Sequence, residues 1–174
     1  MTRNTYTRLT SLTRGVLARL PGDEQLLSLP TVLCATSYLL LALGLLLERD
    51  PRLLRVLLVP ACCFVSATLL RRLINRARPY DRFSLPPVGR FTPGKGRSLP
   101  SRHAASAAAI ALAFCYVYPH TALSAAMILL ALLIAALRVC SGHHDEWDVL
   151  SALALAFALS FLGYSVFSSP ILPI

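Results

Sequence analysis

His144 and Asp148 stand four residues apart in the stretch RVCSGHHDEWDVL, residues 138–150. On a helix that spacing sets them on one face, near enough for the carboxylate to accept the imidazole N–H. Such a contact fixes the tautomer and leaves the other ring nitrogen free as a nucleophile. Arg138 adds a guanidinium at the head of the same stretch. His143, His144 and the acids also suggest a metal site, but there is no H-E-x-x-H and no cysteine at ligand spacing, so no metal and no cofactor are expected. A second cluster is RRLINRARP, residues 71–79, where Arg71 and Arg78 lie two helical turns apart and share a face if the helix continues to Pro79. Two guanidiniums so placed can grip a phosphate; the plainer reading is a positive flank at a membrane interface, the role read for Arg72 and Arg76. A third cluster is LPSRH, residues 99–103. Ser101 suits an N-cap, the N–H groups behind it attract anions, and His103 stands beside that anion site as a candidate general acid. A capping serine with an interfacial histidine is the alternative.

The elements that must position these groups are greasy. The 174 residues are 56% hydrophobic and only 14% charged, where a soluble domain carries about a quarter charged residues. Residues 26–47, 56–70, 104–137 and 149–174 contain no Asp, Glu, Lys or Arg. Crossing a bilayer takes about 17–25 apolar residues, and Tyr118-Pro119-His120-Thr121 divides the longest run with a turn. The spacing predicts five spans, about residues 29–47, 53–72, 102–118, 121–138 and 148–168. The third and fourth, rich in alanine, are expected to pack on protein rather than lipid. Residues 1–25 are basic, with Tyr6, Leu9, Leu12, Val16 and Leu20 at helical spacing. They read as an interfacial helix or as a basic tail that sets topology. The expected architecture is therefore an all-α, multi-pass membrane bundle of about five transmembrane helices over residues 26–174, preceded by that amphipathic segment over 1–25.

Counting spans brings the three polar clusters to one membrane face. All of the 17 Lys and Arg residues except Arg49, Arg52 and Arg55 fall on that side, which the positive-inside rule makes cytoplasmic. The net charge of +9 is explained by these flanks; with no nucleic-acid signature, nucleic acid is not an expected partner. Charges at span ends rather than mid-span argue against a transporter. Gly89-x4-Gly94-Lys95 mimics a P-loop, but Gly96 stands where Ser or Thr is needed. The odd set Cys34, Cys62, Cys63, Cys115 and Cys140 reads as small buried side chains. Three arginines, an anion-binding helix start and two histidines on one face are the parts of a phosphoryl-transfer site.

Together the clusters resemble the signature of the type 2 phosphatidic acid phosphatase superfamily, Lys-x6-Arg-Pro, Pro-Ser-Gly-His and Ser-Arg-x5-His-x3-Asp. This chain reads Arg71-x6-Arg78-Pro79, Pro100-Ser101-Arg102-His103 and Leu137-Arg138-x5-His144-x3-Asp148. Arg71 replaces lysine, Arg102 replaces glycine and Leu137 replaces serine. The resemblance implies a metal-independent lipid phosphatase of the cell membrane, acting on phosphatidate, phosphatidylglycerol phosphate or a polyprenyl mono- or diphosphate. It implies that His144 forms a phosphohistidine, that Asp148 orients it, and that His103 protonates the leaving oxygen. Arg71, Arg78, Arg138 and Ser101 would hold the phosphate with the N–H of Arg102. An inactive membrane scaffold on the same fold is the alternative.

Overall fold

The computed structural model describes residues 1–19, 23–94 and 96–165. Among these the chain forms helices α1 (Arg3–Leu17), α2 (Asp23–Leu47), α3 (Arg52–Ile74), α4 (Pro79–Phe83), α5 (Arg102–Val117), α6 (Ala122–Cys140) and α7 (Glu146–Ser165), and no strand. Leu20, Lys95 and the end of the fifth expected span, residues 166–168, lie outside the described residues.

Among the described residues four helices are long and apolar enough to cross a membrane: Leu27–Leu47, the one beginning at Arg52, Ala122–Cys140 and Glu146–Ser165. α5 is shorter, 16 residues, roughly 24 Å at ~1.5 Å per residue against a hydrocarbon core of about 30 Å. It is the centre of the bundle and packs on α2, α3, α6 and α7. Its composition explains this. Lipid tails are as apolar as leucine, so helices in a bilayer associate by close packing, which small residues permit. Ala104, Ala105, Ala107, Ala108, Ala109, Ala111 and Ala113 are all buried, and Ala67, Ala135, Ala152 and Ala156 from α3, α6 and α7 cluster with Ala104, Ala105, Ala108 and Ala109. Cys63 lies so close that its Sγ reaches the Ala105 carbonyl at 3.7 Å. The outer faces are the opposite, with Leu39, Leu129 and Phe157 each more than 60% exposed, as a lipid-facing surface requires.

Several expectations need correction. α6 turns Leu129, Leu132 and Leu133 outward, so among the described helices α5 alone is enclosed by protein. Leucine on every turn gives α6 a lipid face that the alanines of α5 lack. Of the cysteines, Cys34 and Cys63 are buried, Cys62 is exposed and Cys115 and Cys140 are intermediate. Arg55 donates to the Tyr116 hydroxyl at 3.0 Å.

α1 is a helix, capped by the Thr2 side chain on the Thr5 N–H. Its inner face shares Tyr6 and the half-buried Leu9 with the apolar stripe and is completed by Thr10, Thr13 and Leu17, of which Thr10 and Leu17 are buried and Thr13 half-buried. The Tyr6 hydroxyl donates to the Leu85 carbonyl at 2.9 Å, Thr13 to the Cys140 carbonyl at 3.0 Å and Arg14 to the Pro86 carbonyl at 2.7 Å. Backbone acceptors at the end of α6 and in the α4–α5 loop thus hold this face, while Leu12 and Val16 stay exposed on the adjoining one.

The α5 contact gives a direct test. Ala109→Leu adds three carbons where nothing is accessible, and overpacking of this kind costs about 1–3 kcal/mol. The apparent unfolding midpoint in detergent is expected to fall, whereas Leu129→Ala on the lipid face is expected to move it little.

Candidate active site

The three polar clusters come together at one end of the bundle, tied by backbone bonds. Ser98 N–H donates to the Arg76 carbonyl at 2.9 Å, Ser101 N–H to the Asp148 carbonyl at 2.8 Å, and His144 N–H to the Arg138 carbonyl at 3.1 Å. These link the end of α3, the start of α5 and the two sides of the α6–α7 turn.

His144 lies in that turn, not on a helix. α7 begins at Glu146, and the residue before it, Asp145, makes a reciprocal pair with Asp148. Asp148 N–H donates to Asp145 Oδ1 at 3.2 Å and Asp145 N–H to Asp148 Oδ2 at 3.0 Å. This is the geometry of a capping box, which satisfies two donors at a helix start and favours acids there. The His144 Nδ1–H is directed at Asp148 Oδ2, 3.4 Å away, and at Ser98 Oγ, also 3.4 Å. Ser98 in turn donates to Asp148 Oδ2 through a short bond. Nε2 makes no hydrogen bond among the described residues, so the tautomer set by Asp148 leaves that nitrogen available. His144 and Asp148 therefore meet as the spacing expects, through a turn and a helix cap rather than one helical face.

Asp148 is held further by Arg76, whose Nη1 reaches Asp148 Oδ1 at 3.1 Å and whose Nη2 reaches Asp145 Oδ2 at 2.8 Å. Arg82 adds a second bridge to Asp145 at 2.9 Å. Arg76, read from sequence as an interfacial anchor, is instead a clamp on the buried acids, and Arg82 joins it on Asp145. Ser98 and Asp145 were not singled out either. The D-x-x-D capping pattern could have found Asp145, whereas no local pattern marks Ser98.

Arg71 and Arg78 converge without a continuous helix. α3 ends at Ile74, and Asn75 takes a left-handed conformation, φ 45°. Pro79 is the first residue of α4 rather than the stop of α3, a position that suits its missing N–H. The loop brings the two back together: Arg71 Nε donates to the Arg97 carbonyl at 2.7 Å and Arg78 Nε to the Gly96 carbonyl at 3.3 Å. Both line one cavity with Arg72, Arg97 and Arg102, and both act electrostatically on His144. Ser101 is the N-cap residue of α5, yet its side chain does not cap the helix. Its buried Oγ has no partner among the described residues. An unsatisfied hydroxyl beside the free N–H groups of a helix start is suited to an anion. His103 lines a second, more apolar cavity with Arg102, Thr31, Phe64 and Ile134, and has the guanidiniums of Arg138, Arg102 and Arg71 and the His144 ring as neighbours. Arg138 borders a third cavity of about 390 Å³ with His143, Val88 and Gln25. His143 is half-buried: its Nε2–H donates to the Arg90 carbonyl at 3.2 Å and Nδ1 lies 3.0 Å from Ser141 Oγ.

A family model described as the PAP2 superfamily matches residues 52–170. Two solved structures are similar in fold. One is LpxE of Aquifex aeolicus, 24% identical with a TM-score of 0.65 over 88% of this chain and 92% of that one. The other is a transmembrane PAP2-type phosphatidylglycerolphosphate phosphatase of Bacillus subtilis, 24% identical with a TM-score of 0.67 over 99% of this chain and 90% of that one. No curated protein matches the chain.

Burial holds both turn histidines below the ordinary value of 6.5, His143 at about 4, with Asp148 opposing the shift at His144. Folded, they stay neutral where an unfolded histidine takes up a proton. The stability they contribute is thus complete above about pH 6.5 and is lost progressively below it, toward pH 4 for His143. His143→Gln is expected to flatten the acid decline of the unfolding midpoint over this range and to leave the value at pH 8 nearly unchanged; an undiminished slope would count against it.

Proposed function

The chain belongs to the PAP2 superfamily, and on that premise we propose that it is a lipid phosphatase of the cell membrane, working without a metal through a phosphohistidine. The observation that carries the proposal is the environment of His144. Its Nδ1 faces Asp148 and Ser98, its Nε2 is unengaged, and Arg71 and Arg78 lie within electrostatic reach. A buried imidazole kept neutral and oriented has the lone pair a nucleophile needs.

His144 Nε2 attacks phosphorus, the P–N bond forms, and the ester P–O bond breaks on the opposite side. His103 gives the departing lipid oxygen its proton. Water then attacks the phosphohistidine with His103 accepting its proton, the P–N bond breaks, and inorganic phosphate leaves. Arg71, Arg78 and Arg138 offset the charge on the phosphoryl oxygens, aided by the Ser101 hydroxyl and the Arg102 N–H. Positioning and charge neutralisation do most of the work in such transfers, and three guanidiniums fill the part a metal plays elsewhere. Asp148 does not exchange the proton; it fixes the ring and stabilises the charge that develops on it. The substrate is an amphiphilic phosphate. His103 and Arg102 border a cavity whose other walls include Phe64, Ile110 and Ile134, a surface suited to a hydrocarbon tail.

The proposal is tested by phosphate release in detergent from phosphatidate, phosphatidylglycerol phosphate and a polyprenyl diphosphate, with EDTA present. Release is expected to resist EDTA and to vanish in His144→Ala, whose unfolding midpoint should stay near that of the parent. Full activity in that variant would sink the mechanism, and no release from any lipid by folded protein would favour an inactive scaffold. Arg102→Gly is expected to change the relative kcat/KM values across the lipids more than it lowers the best of them, because this side chain borders both the arginine-lined and the apolar cavity.

A further inference from the structure

The end of the bundle holds more positive charge than one transferred phosphate requires. Arg76 and Arg82 are matched by Asp145 and Asp148. Arg71, Arg78 and Arg138 serve the reacting phosphate in the mechanism above. Arg72, Arg97 and Arg102 remain. All three line the same cavity as Arg71 and Arg78, about 170 Å³ in volume, and none of its described lining residues is an acid. One liquid water occupies about 30 Å³, so the space admits a group well beyond a single water.

The arrangement is built rather than incidental. The bonds from Arg71 and Arg78 to the Arg97 and Gly96 carbonyls fix the backbone that carries the Arg97 side chain. Arg102 lies with its guanidinium 5.7 Å from the centre of the Phe64 ring. None of Arg72, Arg97 and Arg102 has an ion pair among the described residues. Instead Arg78, Arg97 and Arg102 all act on Arg71 as like charges. Guanidiniums crowded around a cavity repel one another unless an anion joins them, and each presents a planar fork that suits phosphate.

We propose that Arg72, Arg97 and Arg102 form a second phosphate subsite beside the reacting one. The inference rests on the phosphatase reading. The second phosphate is supplied by the substrate, as the distal or proximal half of a diphosphate, or by the headgroup of a neighbouring anionic lipid. Either source brings the same chemistry, and the substitution of arginine for the family's glycine at position 102 contributes one of the three charges.

The test uses one hydrocarbon tail with two headgroups, geranylgeranyl monophosphate and geranylgeranyl diphosphate, in neutral detergent. The Arg72→Gln/Arg97→Gln protein is compared with the parent. If the substrate supplies the second phosphate, the parent prefers the diphosphate, and the double variant loses that preference by about tenfold or more, the worth of one charge-assisted contact. If a neighbouring lipid supplies it, added phosphatidylglycerol speeds monophosphate hydrolysis by the parent and not by the variant. Equal headgroup preference and equal lipid response in the two proteins would overturn the subsite. A binding arm separates this from failure of the phosphatase reading. Inorganic pyrophosphate is expected to raise the parent's unfolding midpoint more than inorganic phosphate does, and the excess should disappear in the double variant. That result upholds the subsite even where neither lipid is hydrolysed; an identical excess in both proteins refutes it.

Discussion

The Asp148 carboxylate is the point on which the rest of the site depends. It accepts from the His144 ring, the Ser98 hydroxyl, the Asp145 N–H and the Arg76 guanidinium. Those donors come from the α3–α4 connection, the loop before α5 and the α6–α7 turn, so one buried group joins three segments far apart in sequence. A carboxylate in a low-dielectric place is costly to leave unpaired and strongly held when its lone pairs are filled. Buried ion pairs contribute little net stability on average because desolvation offsets the attraction. What this one supplies is position: it sets the orientation of an imidazole to which no helix gives a regular place.

Charge is divided around that point into two regions. On one side Arg76 and Arg82 face Asp145 and Asp148, two positive against two negative. On the other side Arg71 and Arg78 gather with Arg72, Arg97 and Arg102 around a cavity with no acid among its described lining residues. The balanced region is neutralised within the protein, and the unbalanced region leaves a positive field at its cavity. Preorganised charge of this kind stabilises a developing transition state without reorganisation at the moment of reaction. The alanine-packed α5 completes the design, because it carries Ser101 and His103 on the most enclosed helix of the bundle.

The fold was largely legible in the sequence because charge-free runs of span length have few alternatives. The Pro-His turn between α5 and α6 was equally plain. Alanine content was a weaker guide: it placed α5 inside correctly but misled for α6, whose leucines form a lipid face. At the site, spacing identified residues that meet but not how they meet. Arg71 and Arg78 converge although Asn75 breaks the helix between them, and His144 contacts Asp148 from outside α7. Motif spacing is a constraint on the folded site, and a loop can meet it as well as a helix. Arg76, Arg82 and Ser98 escaped because their partners are some 50 or more residues away in the chain, and local patterns carry no information about such pairs.

Gly142 lies two residues before His144, at φ +79°, with the Tyr6 ring and the Thr10 methyl against it. A Cβ there would stand 2.7 Å from Tyr6 Cε2 and 2.8 Å from Thr10 Cγ2. The glycine is thus required twice, once by its backbone and once by α1. Tyr6 and Thr10 are in turn fitted to a surface that only a glycine leaves open. The N-terminal helix is therefore no detachable appendage: over evolutionary time the two segments have to drift as a pair. A lineage that discarded α1 would release the steric half of the demand on residue 142, while one that enlarged residue 142 would have to reshape the amino terminus in the same step.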